Sequence, residues 1–204
     1  MSIKRDVEFL FEVGCMRYVD RVWRQFHMPE AANVGEHLFR VAWIALTLAR
    51  YEGKGNHEKI LKMAITHDLS ESRTGDANYL SRQYVERYEY RAVTDMFENT
   101  AHSEMVVLMK EYEARESFEA KVVKDADNLD VELELREFAS RGHTTPALWK
   151  KRRAENVRPK LFTASAKKFW DAIATANPHD WHSKSKSNRH NSGDWKKNAK
   201  NKEN

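Results

Sequence analysis

Apolar residues recur at spacings of three and four through most of the chain, and little interrupts them: 204 residues include only seven glycines and four prolines. This constrains the fold more than any other feature. Helical faces repeat every 3.6 residues, whereas hairpins and meanders need turn residues that are scarce here. The expectation is an all-α, compact multi-helix bundle, with no strands and no internal repeat.

The pattern divides into segments. Residues 7–26 read as a first helical region, broken near Gly14 and ending before Pro29. Residues 35–52 form the strongest helix, apolar on most faces and so expected at the centre. A third helix starts after Asn56, a good N-cap residue, and runs into "AITHDL". The stretch "SRTGDANYLS" is the one polar, glycine-containing loop in the middle of the chain. Residues 82–100 and 101–114 read as two charged amphipathic helices. A long helix opens at Ser117, whose frame with Ala120 resembles a capping box without its Glu, and stops at Gly142. Pro146 suits the first turn of another helix, and residues 164–177 close the folded body before Pro178.

From His179 the composition turns to Lys, Ser and Asn. Residues 183–204 carry seven Lys/Arg against two acids, while the whole chain has a net charge of +4, so the body is nearly neutral. The expected organisation is a domain over 1–178 and a basic, disordered tail over 179–204. The tail reads first as a solubilising terminus. Nucleic-acid contact through Trp181 and Trp195 is the less favoured reading. No apolar run approaches the ~18 residues of a membrane span, and the N-terminus lacks a signal-peptide pattern, so no membrane and a cytoplasmic location are expected. A single cysteine, Cys15, excludes an internal disulfide and a thiolate metal cluster. Any metal must be held by His and carboxylate.

His67 and Asp68 stand side by side at the end of an apolar helical run. Alone, such a pair is usually a solvated helix terminus. His37, however, lies on the most buried helix, and Asp127 lies in the carboxylate-rich "KVVKDADNLD" of the long one. Two His and two Asp on three helices suit a divalent transition metal ion (Mn, Co, Fe, Ni or Zn) and leave positions open for water and substrate. Such an ion activates water and clamps a phosphoryl oxygen, which is hydrolytic chemistry. Asp125 and Asp130 read as a solvated helix face, and His57, His102 and His143 as surface or helix-terminal residues.

The order H…HD…D, with "EHLFRVA" at the first His and "HDLSES" followed by "RTGD" at the pair, resembles the HD-domain metal-dependent phosphohydrolases. Within them it is most similar to the 5'-deoxyribonucleotidase branch, over roughly residues 6–142. The resemblance implies that His37, His67, Asp68 and Asp127 are metal ligands and that Glu71 is the carboxylate handling a proton at the phosphate. It further implies that Asp76 meets the sugar, with Gly75 allowing the tight turn, and that Arg21, Trp23 and Lys124 contact the phosphate or cover the nucleotide. Read from the residues alone, Asp76 is also a turn residue beside Gly75, Arg21 a surface partner of Asp20 or Glu30, and Trp23 a core residue. Arg73 and Arg82 flank the loop and offer further cations.

The implied activity is hydrolysis of the 5'-phosphate of deoxynucleoside monophosphates by a metal-activated water, in a homodimer acting on a small nucleotide. Two alternatives stand beside it. A triphosphohydrolase on the same scaffold would need extra cations, for which "KKRR" at 150–153 and the tail are candidates. A nucleotide sensor without activity would be expected to have lost a ligand or Glu71, and none is missing.

Overall fold

Side-chain caps start most of the long helices. The computed structural model describes residues 1–184, and among these there are helices and no strands, only an isolated bridge between Asp20 and Asn33. Ser2 accepts the Arg5 N–H to start α1 (Ile3–Gly14). Asn33 and Glu36 form a full capping box at the start of α2 (Val34–Glu52). Asn56 caps α3 (His57–Thr66), and α4 (Glu71–Thr74) is a single turn. Next come α5 (Glu89–Phe97) and α6 (Met105–Ala114). Ser117 accepts the Ala120 N–H to open α7 (Phe118–Ser140). α8 (Thr145–Asn156) and α9 (Ala164–Ile173) complete the packed body.

The centre is a three-helix packing of α2, α3 and α7, flanked by α6 and α9. Small residues allow the close approach: Ala42, Ala45 and Ala49 on α2, Ala64 on α3, and Ala120 and Ala126 on α7 are buried. Around them Val41, Leu48, Ile60, Met63, Val122 and Leu129 are fully enclosed. Each such side chain contributes roughly 1.5–3 kcal/mol on leaving water. This rigid contact carries the metal-type residues, since α2, the end of α3 and α7 bear His37, His67 and Asp127.

Several expectations need correction. The first helical region is one helix only to Gly14; two short 3₁₀ turns, Cys15–Tyr18 and Val22–Phe26, follow. α2 is central, yet Phe39 and Trp43 are 68% and 61% exposed on one face. Residues 82–88 are not a helix: the Asn78 carboxamide takes the Leu80 and Ser81 N–H groups, a 3₁₀ turn covers Ser81–Gln83, and the chain then runs without regular structure to α5. Asp125 and Asp130 are fully buried rather than solvated. α7 packs against neighbours on several sides, and Asp125 accepts from Phe162 N and from the Thr163 N–H and hydroxyl, tying the start of α9 to it. Of the expected disordered tail, residues 179–184 include a short helical turn, Asp180–Ser183, and 185–204 lie outside the described residues. No helix among the described residues is long and apolar enough to cross a membrane.

Candidate metal centre

α3 ends at Thr66, and His67 occupies its C-cap with its N–H still bonded to the Met63 carbonyl. The chain then turns through Asp68 into α4, so two adjacent side chains leave a helix end toward one point. His37 enters from α2 and Asp127 from α7. His37 Nε2 lies 3.4 Å from Asp68 Oδ2 and 3.4 Å from Asp127 Oδ1, and His67 Nε2 lies 3.4 Å from Asp68 Oδ2. Among the described residues, ligand atoms of His37, His67 and Asp127 all lie within 4.8 Å of one another. The four residues expected to act together do converge.

The tautomers point the same way. His37 Nδ1 is 2.6 Å from Asp130 Oδ2, and His67 Nδ1 is 2.8 Å from the Ala64 carbonyl. Both acceptors require N–H at Nδ1, which leaves each Nε2 with a lone pair. Both Nε2 atoms are buried without a hydrogen-bond partner. A buried nitrogen acceptor left unmatched is costly, and two aimed into one carboxylate-lined space suit a cation. The donor set of two imidazoles and two carboxylates fits a divalent transition metal.

Without a cation, protons respond to the same field. Burial and Arg21 push the His37 imidazolium down, but Asp127, Asp130 and Asp68 outweigh both and hold its pKa well above the ordinary value. His67, supported by a neutral carbonyl, is lowered by burial. Burial raises Asp68 and Asp127, yet His67 and His37 for the first, and Lys124 and His37 for the second, bring both below the usual carboxylate range.

His67, Asp68 and Asp127 of the centre form one wall of a cavity of about 390 Å³. Glu71 lies on it, buried, with Oε2 unpartnered. Burial first, then Asp68 and Asp76, push its carboxyl up to about 9 against the pull of Arg21 and Arg87. Lys124 Nζ, one turn before Asp127, donates to Asp127 Oδ2 at 2.6 Å. Arg21 is buried rather than on the surface: Nη1 is 3.5 Å from Asp68 Oδ2 and Nε 3.8 Å from Asp76 Oδ2. Asp20 pairs instead with Arg24, and Glu30 with Arg141 and His143. Trp23 lines the cavity and packs on Trp149, ring centroids 5.3 Å apart. Asp76 accepts Val22 N at 3.1 Å and Ala77 N at 2.7 Å, so it fastens the Arg21–Trp23 segment to the loop after α4. Gly75 has φ +70°, a conformation that other residues rarely adopt.

Some residues were not anticipated. Asp130 supports His37 and is held in turn by Arg40, whose Nε donates at 2.5 Å. Its spacing from Asp127 is the helical i, i+3 that could have found it. Arg87 donates to the Gly75 carbonyl at 2.7 Å, approaches Glu71 at 3.4 Å and pairs with Glu89. Tyr112 packs its ring on His67, and Arg115 sits over the Tyr112 ring. Of the proposed extra cations, Arg82 and Arg153 reach the cavity. Arg73 is turned away onto Glu12.

With this geometry in hand, comparison with known proteins is informative. A family model described as "HD domain" matches residues 13–170. The 5'-deoxynucleotidase HDDC2 of Danio rerio is 33% identical over 141 residues, which is 65% of this chain and 68% of that protein. Among solved structures, a conserved hypothetical protein from Pyrococcus furiosus superposes with a TM-score of 0.72 at 24% identity, covering 83% of this chain and 99% of that one. The HD phosphohydrolase DatZ of cyanophage S-2L, solved with dA and one catalytic Zn²⁺, superposes with a TM-score of 0.57 at 17% identity, covering 81% and 96%. The paired His-Asp at the end of α3, His37 on α2 and Asp127 on α7 thus lie within the stretch that the family model matches, and the chain belongs to the HD-domain family.

Proposed function

We propose that this chain is a metal-dependent phosphohydrolase that removes the 5'-phosphate from deoxynucleoside monophosphates, with residues 1–178 as its HD-type domain. The observation that carries it is the pair of buried, unpartnered Nε2 atoms of His37 and His67 facing the carboxylates of Asp68 and Asp127. The relationship to proteins named 5'-deoxynucleotidase supports the substrate class.

His37, His67, Asp68 and Asp127 would hold a divalent transition metal ion. Bound there, it supplies Lewis acidity, lowering the pKa of a water and drawing charge from a phosphoryl oxygen. The rest of the chemistry belongs to the chain. Lys124 and Arg21 stand at the substrate side of Asp127 and Asp68 and meet the phosphate oxygens, neutralising charge that grows in the transition state. Glu71 keeps a proton at its unpartnered oxygen and delivers it to the departing 5'-oxygen. Arg87, bonded to Glu71 and Gly75, fixes that carboxyl against the loop. Trp23 covers the nucleotide, and Asp76 presents its remaining lone pairs to the sugar hydroxyls.

For the triphosphate alternative, Arg82 lines the cavity and most of the basic tail, from residue 185 on, lies outside the described residues. Within "KKRR", Arg153 reaches the cavity but is spent on Glu132 and the Asn128 carbonyl. A cytoplasmic location, which rests on the single cysteine, and a homodimer, which rests on the family resemblance, are part of the same proposal.

The test uses protein stripped of metal and reloaded with Mn, Co, Fe, Ni, Mg or Zn, offered deoxy- and ribonucleotides as mono- and triphosphates, with His67→Ala and Asp68→Ala as controls. Orthophosphate released from deoxynucleoside monophosphates is expected. Inorganic triphosphate from the triphosphates would move the assignment, and no product with any metal would refute it.

A further inference from the structure

The two imidazoles of the centre are not equivalent. His67 gives its Nδ1 proton to a neutral carbonyl, that of Ala64 on its own helix. His37 gives its Nδ1 proton to a carboxylate, Asp130, at 2.6 Å. That carboxylate is itself clamped: Arg40 Nε donates to Asp130 Oδ1 at 2.5 Å, Arg40 Nη2 approaches the Asp130 carbonyl at 3.4 Å, and Arg40 Nη1 donates to Glu137 Oε1 at 2.8 Å. His37 and Asp130 are 1% exposed, while the Arg40 side chain is 30% exposed and opens on a separate cavity of about 360 Å³ behind the centre. The line His37–Asp130–Arg40–Glu137 therefore runs from the metal-facing nitrogen to a partly exposed carboxylate.

We infer that Asp130 and Arg40 are positioning residues for the metal centre: Asp130 fixes the His37 tautomer and strengthens Nε2 as a donor, and Arg40 holds the Asp130 carboxylate in place. The inference rests on the reading of His37 as a ligand. A carboxylate on the far nitrogen of a ligating imidazole holds the ring orientation and raises its basicity, and such partners typically matter by ~10–100-fold in metal affinity. Arg40 sets the orientation: its Nε donates to Asp130 Oδ1, which leaves Oδ2 to accept the His37 Nδ1 proton. The fork of Arg40 satisfies Asp130 and Glu137 together, a geometry that a lysine matches in charge but not in shape. The helical spacing explains the placement: Asp130, Glu134 and Glu137 share one side of α7, facing Arg40 and the Ala32 N–H that Glu134 accepts.

The experiment measures Mn²⁺ and Zn²⁺ affinity of the full chain by competition with a chromophoric chelator, without substrate, in wild type, Asp130→Asn, Arg40→Gln and Arg40→Lys. Thermal unfolding of each stripped protein is recorded alongside. Asp130→Asn is expected to weaken metal binding by ~10–100-fold, Arg40→Gln by about tenfold, and Arg40→Lys by less than Arg40→Gln. At saturating metal, kcat returns most of the way to wild type and KM is unchanged, because the partners act through His37 and do not touch substrate. If Asp130→Asn fails to fold, the solvent-reachable Arg40 variants decide the matter. Wild-type affinity in folded Arg40→Gln and Asp130→Asn overturns the inference while leaving the metal centre intact. A wild-type protein that binds no divalent ion overturns the proposed function itself, and the inference with it.

Discussion

The cavity has two walls built by different means. The inner wall, carrying His67, Asp68 and Asp127 with His37 behind them, stands on α2, the end of α3 and α7, the three helices that pack most closely. Its geometry follows from buried aliphatic contacts, and its polar atoms are braced from behind by Asp130 and the Ala64 carbonyl. The outer wall, carrying Arg21, Trp23, Asp76 and Arg87, stands on 3₁₀ turns and irregular chain. Scattered contacts hold it: Asp76 accepts the Val22 and Ala77 N–H groups, Arg87 donates to Gly75 and pairs with Glu89, and Trp23 packs on Trp149. The inner wall is a property of the core, and the outer wall is a property of a few side chains. Substitutions on the two walls should therefore fail in different ways.

The largest effects belong to the inner wall. His67→Ala or Asp127→Ala should lower kcat/KM by more than the ~10²–10³-fold that losing one transition-state stabiliser costs. These variants should also lose the rise in Tm that added Mn²⁺ gives the wild type. Loss of activity with the Mn²⁺-induced shift intact would break the comparison, because it would place those residues with the substrate rather than the ion.

Glu71 lies between the walls, and Glu71→Gln should separate chemistry from metal binding. We expect kcat to fall by about 10² with metal affinity and KM little changed. The stripped protein carries a second signature. Its Glu71 carboxyl is pushed up to about 9, while the unfolded chain loses that proton near 4.5. Between those values the folded state binds the extra proton, so stability falls as pH rises from about 4.5 toward 9. Glu71→Gln should flatten that slope in denaturant titrations of metal-free protein. An unchanged slope would show that other groups set it.

The same contrast explains what could be read from the sequence. Helical periodicity marked α2, α3 and α7, because a face that packs on a core leaves a repeating trace, and His37, His67, Asp68 and Asp127 are each tied to such a helix. Asp130 and Asp125 were misread because α7 carries acids on all sides; charge marks a solvated face only when the helix has one, and α7 is covered by several neighbours. Residues 82–88 were misread for a related reason. Their pattern is compatible with a helix, but the Asn78 carboxamide takes the Leu80 and Ser81 N–H groups in a local turn, and Arg87 reaches back to Gly75, a contact that has no period. Arg87 carried no local signal at all.

Arg87→Ala should therefore show an outer-wall failure. It removes a donor from the Gly75 carbonyl and from Glu71, and bonds to charged groups are worth about 1.5–3 kcal/mol. A loss of about tenfold in kcat/KM follows, smaller than for the inner wall because the freed loop can rehydrate. Metal affinity should stay at the wild-type value, which chelator competition measures directly. A joint loss of metal and activity would mean that the loop and the core are coupled and that the two walls are one device.

Asp76 gives the smallest expected effect and the finest discrimination. Its oxygens already accept the Val22 and Ala77 N–H groups, so it serves as an anchor whatever else it does. Each oxygen retains a lone pair, and Asp76 lines the cavity. Asp76→Asn keeps one acceptor oxygen, so one of the two N–H anchors survives, while the charge offered to a sugar hydroxyl is lost. The expected result is a fall of roughly threefold to fivefold in kcat/KM for deoxynucleoside monophosphates, matching ~0.5–1 kcal/mol for one modest hydrogen bond. If Asp76 reads the sugar as proposed, ribonucleotides should change less and the deoxy-to-ribo ratio should narrow. An equal loss for both sugars would assign Asp76 to the wall alone, as the fastening of Arg21 and Trp23 with no part in reading the sugar. The ratio of the two specificity constants separates these outcomes, since an anchor acts before the sugar is distinguished and a sugar contact acts only on one of them.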